Sequence, residues 1–117
     1  MKRYSVTLLF QFRFHEDTHK RKKRLCESRT IIVYAKNAFF ALKKAKKYGK
    51  QEEFTATNDA GQNYSLEFIG ITDMLRLGIE CGEEEVWYHF KNMIEPMERK
   101  DKITLSDDEV LRSQSVQ

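Results

Sequence analysis

The chain has 117 residues, of which 40% are hydrophobic and 33% are charged, and its formal net charge is +3. That total hides an asymmetry, because residues 1–50 carry 15 Lys and Arg against 3 Asp and Glu, whereas residues 51–117 carry 6 against 15. This composition predicts one domain with one core and excludes a membrane-spanning helix, since no apolar stretch approaches the ~20 residues required. The asymmetry predicts either a charged partner or pairing between the two halves.

The N-terminal third predicts an antiparallel hairpin with a long basic loop. Apolar residues alternate from Tyr4 to Phe14, which places Leu8, Phe10 and Phe12 on one buried strand face. Because the alternation starts directly after Met1-Lys2-Arg3, we expect no signal peptide, a cytoplasmic protein and reduced Cys26 and Cys81. Residues 15–24 contain no apolar side chain and predict an exposed connection, and residues 25–34 predict the second strand.

One main helix is predicted after this hairpin. Asn37 is a suitable N-cap, and Ala38, Ala41, Leu42, Ala45 and Tyr48 form an apolar stripe at helical spacing. Five lysines between residues 43 and 50 form the opposite, solvated face. Gly49 fits the C′ position that ends a helix. We expect Phe39 and Phe40 to add bulk where the helix lies on the sheet.

The remaining sequence predicts three strands and a short terminal helix. Residues 53–57 lead into the turn signal Asn58-Asp59-Ala60-Gly61, and residues 64–77 form a strand whose phase slips at Gly70, which suggests a bulge. Residues 86–91 alternate as a last strand. Ser106 and Glu109 form a capping box, flanked by Leu105 and Val110 at the hydrophobic staple positions.

The string from His15 to His19 satisfies the H-E-x-x-H pattern of zinc peptidases, in which a helix brings two imidazoles to one face. Its context is wrong for such a site, because it follows a strand, lacks an apolar stripe and precedes five cations. We therefore expect neither a metal nor a catalytic site here. Nucleophile elbows, phosphate-binding glycine loops and Cys–His pairs at a recognisable spacing are also missing, so no enzymatic function and no cofactor are predicted.

The basic run from Lys20 to Arg24 allows three interpretations. It could contact nucleic-acid phosphates, bind an acidic protein, or form a solvated loop, which is the usual role of such a run. The helix lysines could extend the same surface. The candidate polyanion contacts are Lys20, Arg21, Lys22, Lys23, Arg24, Lys43 and Lys47.

Four segments together resemble the bacterial domain of unknown function 4288 family over about residues 3–94. They are residues 4–10, residues 41–49, residues 68–78 and residues 86–88. All four are structural segments, so the resemblance implies a compact bacterial α+β domain and transfers no active site. The chain departs from the family pattern in its basic first loop and in its tail after Glu95.

The sequence therefore predicts an α+β fold, with an antiparallel sheet of about five strands and one main helix packed on one face in the order β-β-α-β-β-β. Residues 1–94 are expected to form the domain, and residues 95–117 a charged tail with a short helix. The leading functional hypothesis is a non-enzymatic protein-binding or adaptor module that uses charged surfaces. The alternatives are a nucleic-acid-binding accessory protein and an immunity-type inhibitor of a basic toxin; a protein partner, nucleic acid and a second copy are the candidate partners, and a membrane is not.

Overall fold

A computed structural model describes residues 1–15, 23–77 and 87–115, and it shows a five-stranded antiparallel sheet with helices on both faces. The elements are β1 (Lys2–Phe14), β2 (Lys23–Ala35), α1 (Ala38–Gln51), β3 (Phe54–Thr57), β4 (Asn63–Leu77), β5 (Trp87–Ile94), α2 (Lys100–Ile103) and α3 (Asp107–Ser115). The strand order is β3-β4-β1-β2-β5. The predicted α+β class, the five strands, the main helix after β2 and the short C-terminal helix are confirmed.

The central strand β1 divides its side chains between two cores. Its even-numbered residues from Tyr4 to Phe10 are almost fully buried under α1, as the alternation predicted. Its odd-numbered Leu9 is also buried, but in a second cluster on the opposite face with Cys26 and Ile69. The sheet is therefore apolar on both faces along part of β1, which is why Leu8, Leu9 and Phe10 form a continuous apolar run.

The phase slip predicted around Gly70 is a real irregularity in the pairing of β1 with β4. The register shifts between Thr7 and Leu8 and again between Leu9 and Phe10, so that Thr72 and Ile69, on either side of Gly70 and Ile71, have no partner in the register. A Cβ atom added to Gly70 would lie 2.9 Å from Cγ2 of Thr104, which belongs to the segment covering this face. The glycine therefore permits a close approach that any larger residue would obstruct.

The main helix begins as predicted and extends beyond its predicted end. Asn37 caps it by accepting a hydrogen bond from the Phe40 amide at 3.0 Å. The prediction that Gly49 lies at the C′ position was wrong, because α1 continues to Gln51. Gly49 instead allows the helix to approach β4, since a Cβ there would lie 2.7 Å from the Phe68 ring.

The C-terminal segment crosses an edge of the sheet and contributes to both cores. Met97 and Ile103 pack on the Leu9 cluster, whereas Val110, which is 1% exposed, lies in the main core. At the crossing point, the Leu105 amide donates to the Ile71 carbonyl of β4 at 2.8 Å. This contact and a hydrogen bond from the Phe68 amide to the Glu53 carboxylate satisfy two backbone groups on the β4 edge beyond its pairing with β3.

The capping box that predicted α3 is formed as expected. The Ser106 hydroxyl accepts from the Glu109 amide at 3.2 Å, and the Glu109 carboxylate accepts from the Ser106 amide at 3.3 Å. Leu105 and Val110, the predicted staple pair, both pack on the main core. The short helix α2 was not predicted, because its four residues carry three charges and no apolar stripe.

Candidate protein-binding surface on α1

An exposed row of lysines and phenylalanines begins at Lys36, just before α1, and continues along the outward face of the helix. We call this the α1 ridge and define it as Lys36, Phe39, Phe40, Lys43 and Lys47. Ala41, Leu42, Ala45 and Gly49 are buried against the sheet, so the helical period of 3.6 places the ridge on the opposite side. Phe39 is 50% exposed and Phe40 is 38% exposed.

The two phenylalanines are held by each other and by two ridge lysines. Their rings meet edge to face with centroids 5.5 Å apart. The Lys36 ammonium lies 4.7 Å from the centroid of the Phe40 ring, and the Lys43 ammonium lies 5.3 Å from that of Phe39. These cation–π contacts order the side chains while leaving both rings open to solvent. The prediction that Phe39 and Phe40 pack on the sheet was therefore wrong.

The six lysines between residues 36 and 51 divide into two groups. Lys44 donates to the Tyr34 carbonyl, Lys46 pairs with Asp107 of α3, and Lys50 lies 3.7 Å from Glu53. Among the described residues, the ion pairs of α1 involve only Lys46 and Lys50, so no carboxylate in this part of the chain neutralises the ridge lysines. Since residues 36–51 contain no Asp or Glu, the ridge presents positive charge beside exposed aromatic area.

A partly buried arginine fixes the C-terminal end of α1 on the sheet. Arg29 of β2 donates to Glu27, Glu52 and the Tyr48 hydroxyl at 2.6–2.9 Å, and its guanidinium lies 4.7 Å from the Phe10 ring centroid. The hydrogen bond to Glu27 raises the pKa of Arg29, so the cation is retained despite its burial. This cluster connects helix to strand and thereby sets the direction in which the ridge faces.

A polar network lies on the other face of the sheet, around the fully buried Gln11. Gln11 donates to Glu67 at 2.7 Å and accepts from Arg24 at 3.2 Å, and Arg24 also pairs with Glu98 at 2.6 Å. Burial alone would raise the pKa of Glu67, but hydrogen bonds from Arg13 and Gln11 outweigh that effect and lower it. The hydrogen bond from Arg24 likewise lowers the pKa of Glu98. Arg24 is therefore a structural connection between β2 and the C-terminal segment.

The candidate polyanion contacts that the structure describes lie in separate regions of the fold. Lys43 and Lys47 belong to the α1 ridge, whereas Arg24 faces the opposite side of the sheet with Gln11. Lys23 is exposed at the start of β2, six residues from Arg29, which places it about 20 Å along the strand from the end of α1. The structure thus does not bring these two pairs into one patch. Lys20, Arg21 and Lys22 lie outside the described residues.

The H-E-x-x-H string is described only at its first residue. His15 forms a hydrogen bond with Ser65 of β4 through Nε2, and the other four positions lie outside the described residues. Within residues 1–15, 23–77 and 87–115, no group of three metal-ligating side chains was found. Cys26 is a free, fully buried thiol whose pKa is raised by its burial. Cys81 lies outside the described residues.

The comparisons with known proteins identify a family and no function. No helix in the described part of the chain is long and apolar enough to cross a membrane. No curated protein and no solved structure matches the chain. The family described as "Domain of unknown function (DUF4288)" matches residues 3–99, which include α1 and all of the sheet except Lys2. That match spans most of the 117 residues, and the chain belongs to the DUF4288 family.

Proposed function

We propose that this chain is a non-enzymatic bacterial binding module of the cytoplasm that docks an acidic segment of a partner protein on the α1 ridge. The observation that carries the proposal is a set of three ridge lysines beside two exposed phenylalanines, in a stretch of the chain (residues 36–51) that contains no Asp or Glu. The lysines would steer and orient an acidic partner, and the rings would supply the apolar contact that stabilises the complex.

The chain already makes an intramolecular contact of this kind. The first turn of α3 contains Asp107, Asp108 and Glu109, and this helix lies against α1 with Asp107 paired to Lys46. Lys46 flanks the ridge, so an acidic helix is accommodated beside it without covering Phe39 or Phe40. This arrangement supports an acidic helical segment as the partner class.

The ridge lysines and the two phenylalanines are expected to contribute unequally to the binding free energy. Each exposed ion pair contributes only about 0–1 kcal/mol, because water and salt screen both charges. Burying Phe39 and Phe40, which are 50% and 38% exposed, removes about half of two large rings from water and contributes on the order of 1 kcal/mol each. Removal of the rings should therefore weaken binding mainly by raising the dissociation rate. Removal of the lysines should change the salt dependence of binding.

The experiment is a fluorescence anisotropy titration of the full chain against a labelled amphipathic peptide of Glu and Leu at about 50 and 200 mM salt. Lys43→Gln/Lys47→Gln should weaken binding several-fold and reduce the salt slope. The matched control is Lys100→Gln/Lys102→Gln, which removes two exposed charges from the C-terminal segment. Equal effects of the two double variants would contradict a ridge-specific site.

Mixed-sequence DNA and RNA serve as separate arms of the same titration. If the basic loop carries the function, these probes should bind more tightly than the peptide, and Lys23→Gln should weaken binding more than the ridge variant does. Of the loop candidates that the structure describes, Arg24 is engaged with Glu98 and Gln11, so we favour the protein partner. An inhibitor of a basic toxin would instead bind neither the acidic peptide nor nucleic acid.

A further inference from the structure

We propose that the chain associates with a second copy of itself through an apolar area on the sheet, here called the distal face. We define it as Phe14, Leu25, Phe54, Tyr64 and Ile94. These residues lie on the same side of the sheet as α1, because their strand positions keep the alternation of the buried Phe10 and Leu66. They lie beyond the C-terminal end of the helix, where no described element covers them.

The distal face leaves a large apolar area exposed to solvent. Phe14 is 37% exposed, Leu25 43%, Phe54 45% and Ile94 56%. At roughly 200 Å² for a large apolar side chain, these four alone expose about 350 Å², comparable to the largest patch on a typical monomer. The Tyr64 ring joins them, with its centroid 5.8 Å from that of Phe14 and 6.1 Å from that of Phe54.

The charge distribution favours a second copy as the occupant. The five side chains of the distal face are uncharged, and the adjacent Glu27 is neutralised by Arg29. The exposed Lys23, the register partner of Ile94, is a charged neighbour on the same side of the sheet. A two-fold arrangement can keep the two Lys23 side chains apart, whereas the lysines of α1 would repel each other if two helices met. A mainly apolar face offers little attraction to a charged segment of another protein. The surface that matches it is another apolar face, and a second copy of the chain supplies one.

The area of the distal face and the spacing of packed sheets also suit a symmetric dimer. A standard interface buries about 800 Å² per partner, of which about 500 Å² is apolar in homodimers. The half-buried Phe12 and Tyr64 add to the exposed area above, and the exposed Asn92 provides a polar position on the edge strand β5. Lys23 lies one strand further in, beside Ile94. Sheets pack about 10 Å apart, close to the diameter of a helix. A partner sheet would therefore occupy the layer of α1 beyond its end and leave both α1 ridges accessible.

The test is sedimentation velocity on the full chain from about 1 to 500 µM. The weight-average mass should rise from the 13.9 kDa of one chain toward twice that value. Phe54→Lys should raise the dimer dissociation constant at least about tenfold, because it places a charge in the contact of both copies. The matched control Leu75→Lys changes a side chain of similar exposure, 47%, near the far end of β4 and should leave the constant within about twofold.

Circular dichroism of each variant verifies folding, and Ile94→Lys on the opposite edge strand provides a second disruption if Phe54→Lys unfolds. A mass of one chain at every concentration would overturn the proposal. So would a dimer that Leu75→Lys weakens and that neither distal-face variant affects.

Discussion

Phe10→Ala tests the main core at its centre. Phe10 is 0% exposed, its ring centroid lies 5.6 Å from that of Phe68, and it supports the Arg29 guanidinium at 4.7 Å. Truncation removes the transfer free energy of the ring and leaves a cavity that the surrounding sheet cannot close. The expected loss is about 3–5 kcal/mol, which is a large share of the ~5–15 kcal/mol that stabilises a typical domain.

Phe14→Ala is the matched control, because it makes the same substitution on the same face of the same strand. Phe14 is 37% exposed, so its truncation loses only part of the burial energy of the ring and should cost about 1–2 kcal/mol. At roughly 3–5 °C for each kcal/mol in a domain of this size, Phe10→Ala should lower Tm by about 10–20 °C and Phe14→Ala by less than about 10 °C. Thermal and urea unfolding followed by circular dichroism measure both. Equal shifts would refute the assigned packing.

Three further predictions concern the C-terminal segment, the helix–strand contact and acid stability. Val110→Ala should destabilise the fold by about 2 kcal/mol in urea unfolding, although Val110 lies outside the family match, because it is 1% exposed. Gly49→Ala should be destabilising by about 1–2 kcal/mol, since the clash with Phe68 outweighs the ~1 kcal/mol gain in helix propensity. Because folding lowers the pKa of Glu67 from its ordinary 4.5, the stability it contributes is present above that pH and is lost as pH falls through the folded pKa. Glu67→Gln should therefore flatten the loss of Tm below about pH 4.5.

Each of these three has a result that would contradict it. A Val110→Ala variant as stable as the parent would show that α3 does not complete the core. A more stable Gly49→Ala variant would mean that the Phe68 ring can move aside. If Glu67→Gln leaves the loss of Tm at acid pH unchanged, protonation of another group destabilises the fold.

Local signals in the sequence were sufficient for most of the fold. The alternation around Phe10, the Asn37 cap and the Ser106–Glu109 capping box each depend on neighbouring residues, and each is formed as predicted. Gly49 shows where such signals fail. A glycine near a helix end fits both a C′ position and a close packing contact, and only the location of Phe68 on β4 distinguishes them.

The candidate site was only partly predictable. Lys43 and Lys47 were identified from charge alone, but the aromatic half of the ridge was assigned to the sheet. The helical period contained the correct signal, because Phe39 and Phe40 lie outside the stripe formed by Ala41, Leu42 and Ala45. The pairing of Arg24 with Glu98 joins residues 74 positions apart, and no local pattern in the sequence indicates such a contact.

The most direct test of the proposed function is backbone NMR of the labelled full chain titrated with the acidic amphipathic peptide. The account predicts that amide shifts concentrate between Lys36 and Lys50, and that Phe39→Ala weakens them while the chain stays folded. Shifts confined to the start of β2 around Lys23, or no shifts at millimolar peptide, would contradict it.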